Sequence, residues 1–335
     1  MSHKSAKENR LLAMIRNGEA MSDKDKLRLI VQLSIPSILS QLSSILMFYI
    51  DASMVGSLGA KASAAIGLIE STTWLFGGIS MAAIMGFSVQ AAHFIGANDF
   101  KKTRHVFRIG IASMAVLAIV VLGICVAIAK PLPYWLGGGS DIAPLSTSYF
   151  LVYCISLPIY QFGMLASSML KSSGNMKIPS MASILMCICD VVFNYLFIYI
   201  LKLGVVGAAL GTAMAYVCIS LPNLYIAGFK NKILNLRQDH VRFRWVRSYV
   251  HNACKISIPI AIQNILMSGA QIVSTMIVAP LGNIAIASRS FAITAESLCY
   301  MPGYGIGDAA TTLVGQTHGA GRIGLCKNFA YMTVG

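Results

Sequence analysis

A chain of 335 residues in which 56% are apolar and only 11% charged, with a mean hydropathy of +0.70, falls outside the usual soluble range, where about a quarter of residues are charged. This composition excludes an ordinary soluble domain and reads as a membrane protein. The net charge of +14 would suit nucleic acid, but the placement of the basic residues argues against that partner.

Residues 1–28 are polar and mixed in charge. They contain no apolar core ahead of a small-residue cleavage site, so no secretory signal is expected and the first span should stay in the mature protein. An apolar stretch of about 20 residues crosses the hydrocarbon core as a helix. Six such stretches follow: 29–50, 62–94 with only Glu70, 109–129, 142–170, 178–201 with only Asp190, and 203–229. A basic segment, 230–255, separates them from 256–288, which is too long for one helix and should turn at Pro280-Leu281-Gly282-Asn283. Residues 298–314, interrupted by Asp308, form an eighth expected span, and 328–335 the start of a ninth. The expected fold is an all-α polytopic membrane protein. Its expected parts are an N-terminal segment 1–28, a first lobe 29–229, the basic loop 230–255 and a partial second lobe 256–335.

Counted along these spans, the N-terminus and every second loop hold 22 of the 26 Lys and Arg residues. The opposite loops hold Lys61, Lys130, Lys202 and Arg289. This is the positive-inside pattern, and it places the N-terminus in the cytoplasm. The basic loop, with Phe243, Trp245 and Tyr249 interleaved, reads as an anchor against anionic lipid headgroups, and no nucleic-acid partner is expected. The eight cysteines lie in or beside apolar segments and read as small packing residues.

The second half of the chain echoes the first at an offset of 223 residues. Ser34-Ile35-Pro36 returns as Ser257-Ile258-Pro259, Leu58-Gly59 as Leu281-Gly282, and Gly96-Ala97 as Gly319-Ala320. A repeat of this size implies two homologous lobes of about six helices. The second copy reaches the equivalent of residue 112, so the expectation is a complete first lobe and about two and a half helices of a second.

Ser34-Ile35-Pro36 opening a span, Asp51 fifteen residues beyond that proline, and Met54-Val55-Gly56-Ser57-Leu58-Gly59 together resemble the first helix of multidrug and toxic compound extrusion (MATE) transporters. Ala279-Pro280-Leu281-Gly282, Met301-Pro302, Leu313-Val314-Gly315-Gln316 and Gly319-Ala320-Gly321 are similar to their seventh and eighth helices. Val205-Val206-Gly207-Ala208-Ala209 fits the sixth. The resemblance implies two six-helix bundles around a central cavity open alternately to the two sides. It also implies export of organic, often cationic drugs or metabolites across the plasma (inner) membrane, in exchange for H+ or Na+, by a protein that is monomeric at full length. In the proton-type branch the coupling acid of the first helix matches Asp51, and the proline at which that helix bends matches Pro36. The Asn and Asp found four residues apart in that branch's fifth helix are exchanged here, as Asp190 and Asn194.

An ionised carboxylate at membrane depth costs about 2.5–3.5 kcal/mol on insertion scales and therefore faces a wet cavity or a partner. A buried acid that binds either a proton or a cation is the chemical core of an antiporter. Asp51 is the first candidate, against the alternative of an interfacial cap for the turn that follows it. Asp190 and Asn194, four apart, share one helix face and can bond a common proton, water or ion. Glu70, Glu296 and the nearby Tyr195 are candidates for the substrate cavity, and Pro36 for a hinge. Asp308 is assigned no role. No catalytic residue, metal site or cofactor other than the coupling ion is expected, and the chain is read as not an enzyme, because it lacks His/Asp/Glu clusters at metal spacing, a nucleophile elbow and a phosphate loop. Two alternatives stand: a lipid-linked oligosaccharide flippase of similar fold, disfavoured by acids with almost no Lys or Arg inside the spans, and a truncated transporter fragment that does not function alone.

Overall fold

The computed structural model describes residues 3–238 and 244–334; Phe243 of the basic loop lies outside them. In chain order the helices are α1 His3–Arg16, α2 Asp23–Gly56, α3 Ala60–Gly96, α4 Phe100–Ile128, the short α5 Leu132–Trp135, α6 Ala143–Ser172, α7 Lys177–Asn194, α8 Gly204–Tyr225, α9 Arg247–Val278, α10 Asn283–Gly319 and α11 Ile323–Val334. Wider π-type turns, Tyr195–Ile200 and Ile226–Lys230, extend α7 and α8. No strand occurs among the described residues. In hydrocarbon no water satisfies the backbone, so a spanning segment must bond internally, and the apolar runs become helices for that reason. Among the described residues, seven helices are long and apolar enough to cross a membrane. Beside them runs α10, which carries Arg289, Glu296 and Asp308.

Several helices outrun their apolar stretches, because an apolar count detects only the hydrocarbon depth. α2 starts at Asp23, capped by Ser22, whose hydroxyl accepts from the Asp25 amide at 3.2 Å. α9 starts at Arg247, well inside the segment expected to be loop. The turn expected at Pro280 is present as a 3-10 turn, Ala279–Leu281, followed by Gly282. The N-terminal segment is more than a polar leader. Leu11, Leu12 and Ile15 of α1 are buried against Leu29 and Leu33 of α2, Leu313 of α10 and Phe329 of α11. Three apolar residues on one face of a short polar helix are enough to dock it across both lobes.

The repeat is visible in the backbone. α3 and α10 are both 37 residues long, and both their ends are displaced by 223. Gly59 (φ 101, ψ 169) and Gly282 (φ 100, ψ 173) precede them with the same positive-φ conformation, which a side chain would strain. Past their ends, Asn98 (φ 57) and Gly321 (φ 72) again match.

Across the lobes α3 packs along α9, and α10 packs against α2 and α3; α6 lies against α8 and α3, and α7 against α8 and α2. The lobes cross most closely where α3 and α10 end. A Cβ on Gly96 would strike the Gln316 carbonyl, and one on Gly319 would strike the His93 carbonyl, a symmetric pair of contacts. His93 and His318 stand beside this crossing with ring centroids 5.3 Å apart.

The basic loops gather at this same end. Arg322 Nη1 donates to the Met14 carbonyl at 3.1 Å, Asn98 Nδ2 to the Arg16 carbonyl at 3.4 Å, and Arg108 Nη2 to the Leu236 carbonyl at 2.5 Å. Tyr249 packs edge-on to Phe94 and His105. The segment after α8 is thus folded against the first lobe.

Substituting Gly96 or Gly319 by alanine should destabilise the protein by about 1–3 kcal/mol, the usual cost of overpacking, and by similar amounts at the two sites because the contacts are symmetric. Thermal unfolding in lipid nanodiscs measures both.

Candidate functional site

Asp190 and Asn194 stand one turn apart on the face of α7 that turns into the first lobe, and both are buried, Asp190 fully at 0% exposure. The opposite face of α7 is an apolar stripe of exposed residues, Met181, Leu185, Ile188, Val192, Tyr195 and Tyr199, suited to lipid. From α2, Asp51 reaches the same point. Asn194 Nδ2 donates to Asp51 Oδ1 at 2.8 Å and to Asp190 Oδ2 at 2.9 Å, so a single amide bridges two carboxyl groups from different helices.

Asn194 is held tightly. Its side chain lies against Gly211 of α8, where a Cβ would collide with Asn194 Oδ1. It ends the regular part of α7 and precedes the π-type turn, a geometry that often marks functional sites. Asp190 Oδ1 and Asn194 Oδ1 are buried and have no hydrogen-bond partner among the described residues. Orphaned buried oxygens are rare and call for an explanation. Two acids and an amide thus leave unused lone pairs in one enclosed place. Among the described residues no group of three or more His, Cys, Asp or Glu side chains is placed to hold a metal ion.

The other expected site residues divide. Glu70 of α3 lies toward this site, for the Tyr149 phenol stands within electrostatic reach of Asp51, Asp190 and Glu70 together. Pro36 lies inside a continuous α2, as a hinge requires. Tyr195 does not join the acids. It is 57% exposed on the lipid-facing stripe, because one residue beyond Asn194 turns the side chain about 100° around the helix. Its neighbour Tyr199 bonds Ser57 Oγ at 2.7 Å instead. Glu296 is exposed on α10, near Tyr300. Asp308, left without a role by its sequence, is paired with Lys171 across the lobes at 2.6 Å.

Sequence reasoning passed over the aromatic wall. Tyr149, Tyr153 and Tyr160 of α6 fall on one face, Tyr153 donates to the Thr73 carbonyl at 3.0 Å, and Tyr160 packs on Tyr216 of α8 with centroids 4.4 Å apart. Their four- and seven-residue spacing was the available signal.

The MatE family model matches residues 36–196 and 259–335. A protein of Thermotoga maritima described as "Probable multidrug resistance protein NorM" is 26% identical over 302 residues, covering 88% of this chain and 63% of that one. The "Multidrug export protein MepA" of Staphylococcus saprophyticus is 24% identical over 258 residues, covering 76% and 56%. The chain thus spans less than two thirds of the length of these two relatives. Among solved structures, a MOP superfamily transporter from Pyrococcus furiosus superposes with a TM-score of 0.85 at 22% identity, over 96% of this chain and 70% of that one.

Replacing Asn194 by leucine removes both bridging bonds, worth about 1.5–3 kcal/mol each where the acceptor is charged. Unfolding in nanodiscs should show a loss of that size, whereas Tyr195→Leu, on the lipid face, should stay within about 0.5 kcal/mol of the parent.

Proposed function

Because the chain belongs to the MatE family, we propose that it is a secondary active exporter of organic, mainly cationic compounds, driven by inward movement of H+ or Na+. One observation carries this reading: the Asn194 amide that joins Asp51 to Asp190 beside buried oxygens with no partner. The relatives are named for multidrug resistance and export, which belongs to transport and not to enzymatic chemistry. They are longer than this chain, so the activity proposed is that of the protein in which both lobes are complete.

The two carboxyl groups give the site its selectivity for positive charge. When both are ionised they repel each other in a medium that solvates neither, and the site gains by binding a proton, a sodium ion or an organic cation. Occupancy by the coupling ion removes the charge that holds the drug. Tyr149, Tyr153, Tyr160 and Tyr216 supply a broad, polarisable wall against which aromatic cations of many shapes can lie. Asp51 rides on the part of α2 beyond Pro36, so a change of charge there acts on a segment that can swing. The gathering of the basic loops at one end supports an orientation in the inner membrane with that end, and the N-terminus, in the cytoplasm.

In proteoliposomes, Asp51→Asn should reduce ion-coupled efflux of a cationic dye to the level of empty vesicles. Imposing a pH jump and a sodium jump separately identifies the ion. Undiminished coupled efflux in the variant overturns the reading.

A further inference from the structure

Lys171, in the last turn of α6, and Asp308, about two thirds of the way along α10, come from different lobes. Their Nζ and Oδ2 atoms lie 2.6 Å apart, with side-chain exposures of 18% and 21%. The same Oδ2 accepts from Ser37 Oγ of α2 at 2.6 Å. Two further residues on this face of α10, spaced by four, continue the attachment. Thr312 Oγ1 donates to the Lys171 carbonyl at 3.1 Å, which also accepts from the Gly174 amide, and Gln316 Nε2 donates to the Ser172 carbonyl at 2.8 Å at the open end of α6. Ser172 Oγ in turn donates to the Ser88 carbonyl of α3 at 3.0 Å. A cavity of about 30 Å³ lies against the pair, lined by Met81, Met85 and Ser88 of α3 as well as by Lys171, Asp308 and Thr312.

The attachment falls at the hinge. Ser37 follows Pro36 directly, and α10 lies so close here that a Cβ on Gly305 would meet the backbone of Ile38. Around the proline, Gln32 Oε1 and Ser34 Oγ are buried without a partner, so this packing leaves polar groups unsatisfied in the turn that would bend. Ser37 and Asp51 both lie beyond Pro36, 14 residues apart, about 21 Å along one helix. A swing of that segment that moves Asp51 also draws Ser37 from Asp308.

We propose that the Lys171–Asp308 pair, positioned by Ser37, is the charged gate that holds the two lobes together at the basic end and opens when α2 bends at Pro36. The inference rests on the exporter reading only in that the lobes must part at this end during transport. With the lobes together, each charge is met by the other, and Asp308 also by the Ser37 hydroxyl. Parting them demands that water replace these partners, and a pair about one fifth exposed stands near enough to water for that exchange. Lys171 also faces the negative end of α6, so its position is favoured by the helix as well as by Asp308.

The test reads the gate without reading transport. Met85→Cys is placed in the parent protein in nanodiscs, and its reaction with a water-soluble maleimide is followed at residue 85 by mass spectrometry, which separates it from the eight native cysteines. Labelling should rise about tenfold in Asp308→Asn and in Lys171→Met, as expected when one favourable ion pair is taken from a two-state equilibrium. It should fall back most of the way in the reversed pair, Lys171→Asp with Asp308→Lys. Ser37→Ala, which keeps both charges, should give an intermediate rate and keeps the proposal testable if a charge variant does not fold. Unchanged labelling in the charge variants or in Ser37→Ala, or no recovery in the reversed pair, overturns the gate. Because no substrate or ion gradient enters, the gate can fail while Asp51 still couples transport, and the reverse.

Discussion

A polar group inside a bilayer has no water to fall back on, and almost every feature of this protein answers that constraint. The backbone meets it by forming helices. The intramembrane acids meet it in two ways. Asp51 and Asp190 share one amide from Asn194, and Asp308 takes a lysine and a hydroxyl from two other helices. In the first arrangement the acceptors outnumber the donors and two oxygens stay unused. In the second, charge is matched by charge.

The same constraint governs how the helices associate. Lipid offers no hydrophobic force to press one helix on another, so close packing at small residues and polar bonds between helices must do it. Gly96, Gly211, Gly305 and Gly319 stand where neighbours come nearest, and Ser71 with Thr275 and Ser40 with Ser183 tie helices at 3.1 and 2.7 Å. Between the lobes such bonds recur along the contact: Asn264 Nδ2 donates to the Gly78 carbonyl at 3.0 Å, Gln90 Nε2 to the Tyr249 carbonyl at 3.1 Å and Gln316 Nε2 to the Ser172 carbonyl at 2.8 Å, beside the apolar cluster that joins Leu29 and Leu33 to Leu313 and Phe329.

Much of this was legible in the chain. Long uncharged runs gave the spans, and the 223-residue echo anticipated helices whose ends coincide to the residue. Asp190 and Asn194 were joined by their four-residue spacing, a periodicity that reports a shared helix face without a structure. Asp51 came from its place after Pro36, through family resemblance. What stayed hidden was whatever depends on a second segment or on angle. Leu11, Leu12 and Ile15 are too few among polar residues to announce a docked helix. Tyr195 lies next to Asn194 in sequence and faces away from it in space, while Tyr149, on another helix, faces the acids. Lys171 counted as one of many loop cations until Asp308, 137 residues away, met it.

The repeat, finally, explains the frame and not the chemistry. Its symmetric elements are mechanical: the prolines at 36 and 259, the glycine turns at 59 and 282, the crossing at 96 and 319. Its intramembrane acids are unique to one copy. The position displaced by 223 from Asp51 is Ser274, whose hydroxyl accepts from Arg289 Nε at 3.2 Å, so the second lobe presents a cation where the first presents an acid. The counterpart of Asp308 is Met85, which faces it across the small cavity at the gate. Two lobes of matching shape can rock against each other between equivalent packings. Charges placed on only one side of each pairing make those packings unequal in energy, and an ion that binds one of them can then decide which is occupied.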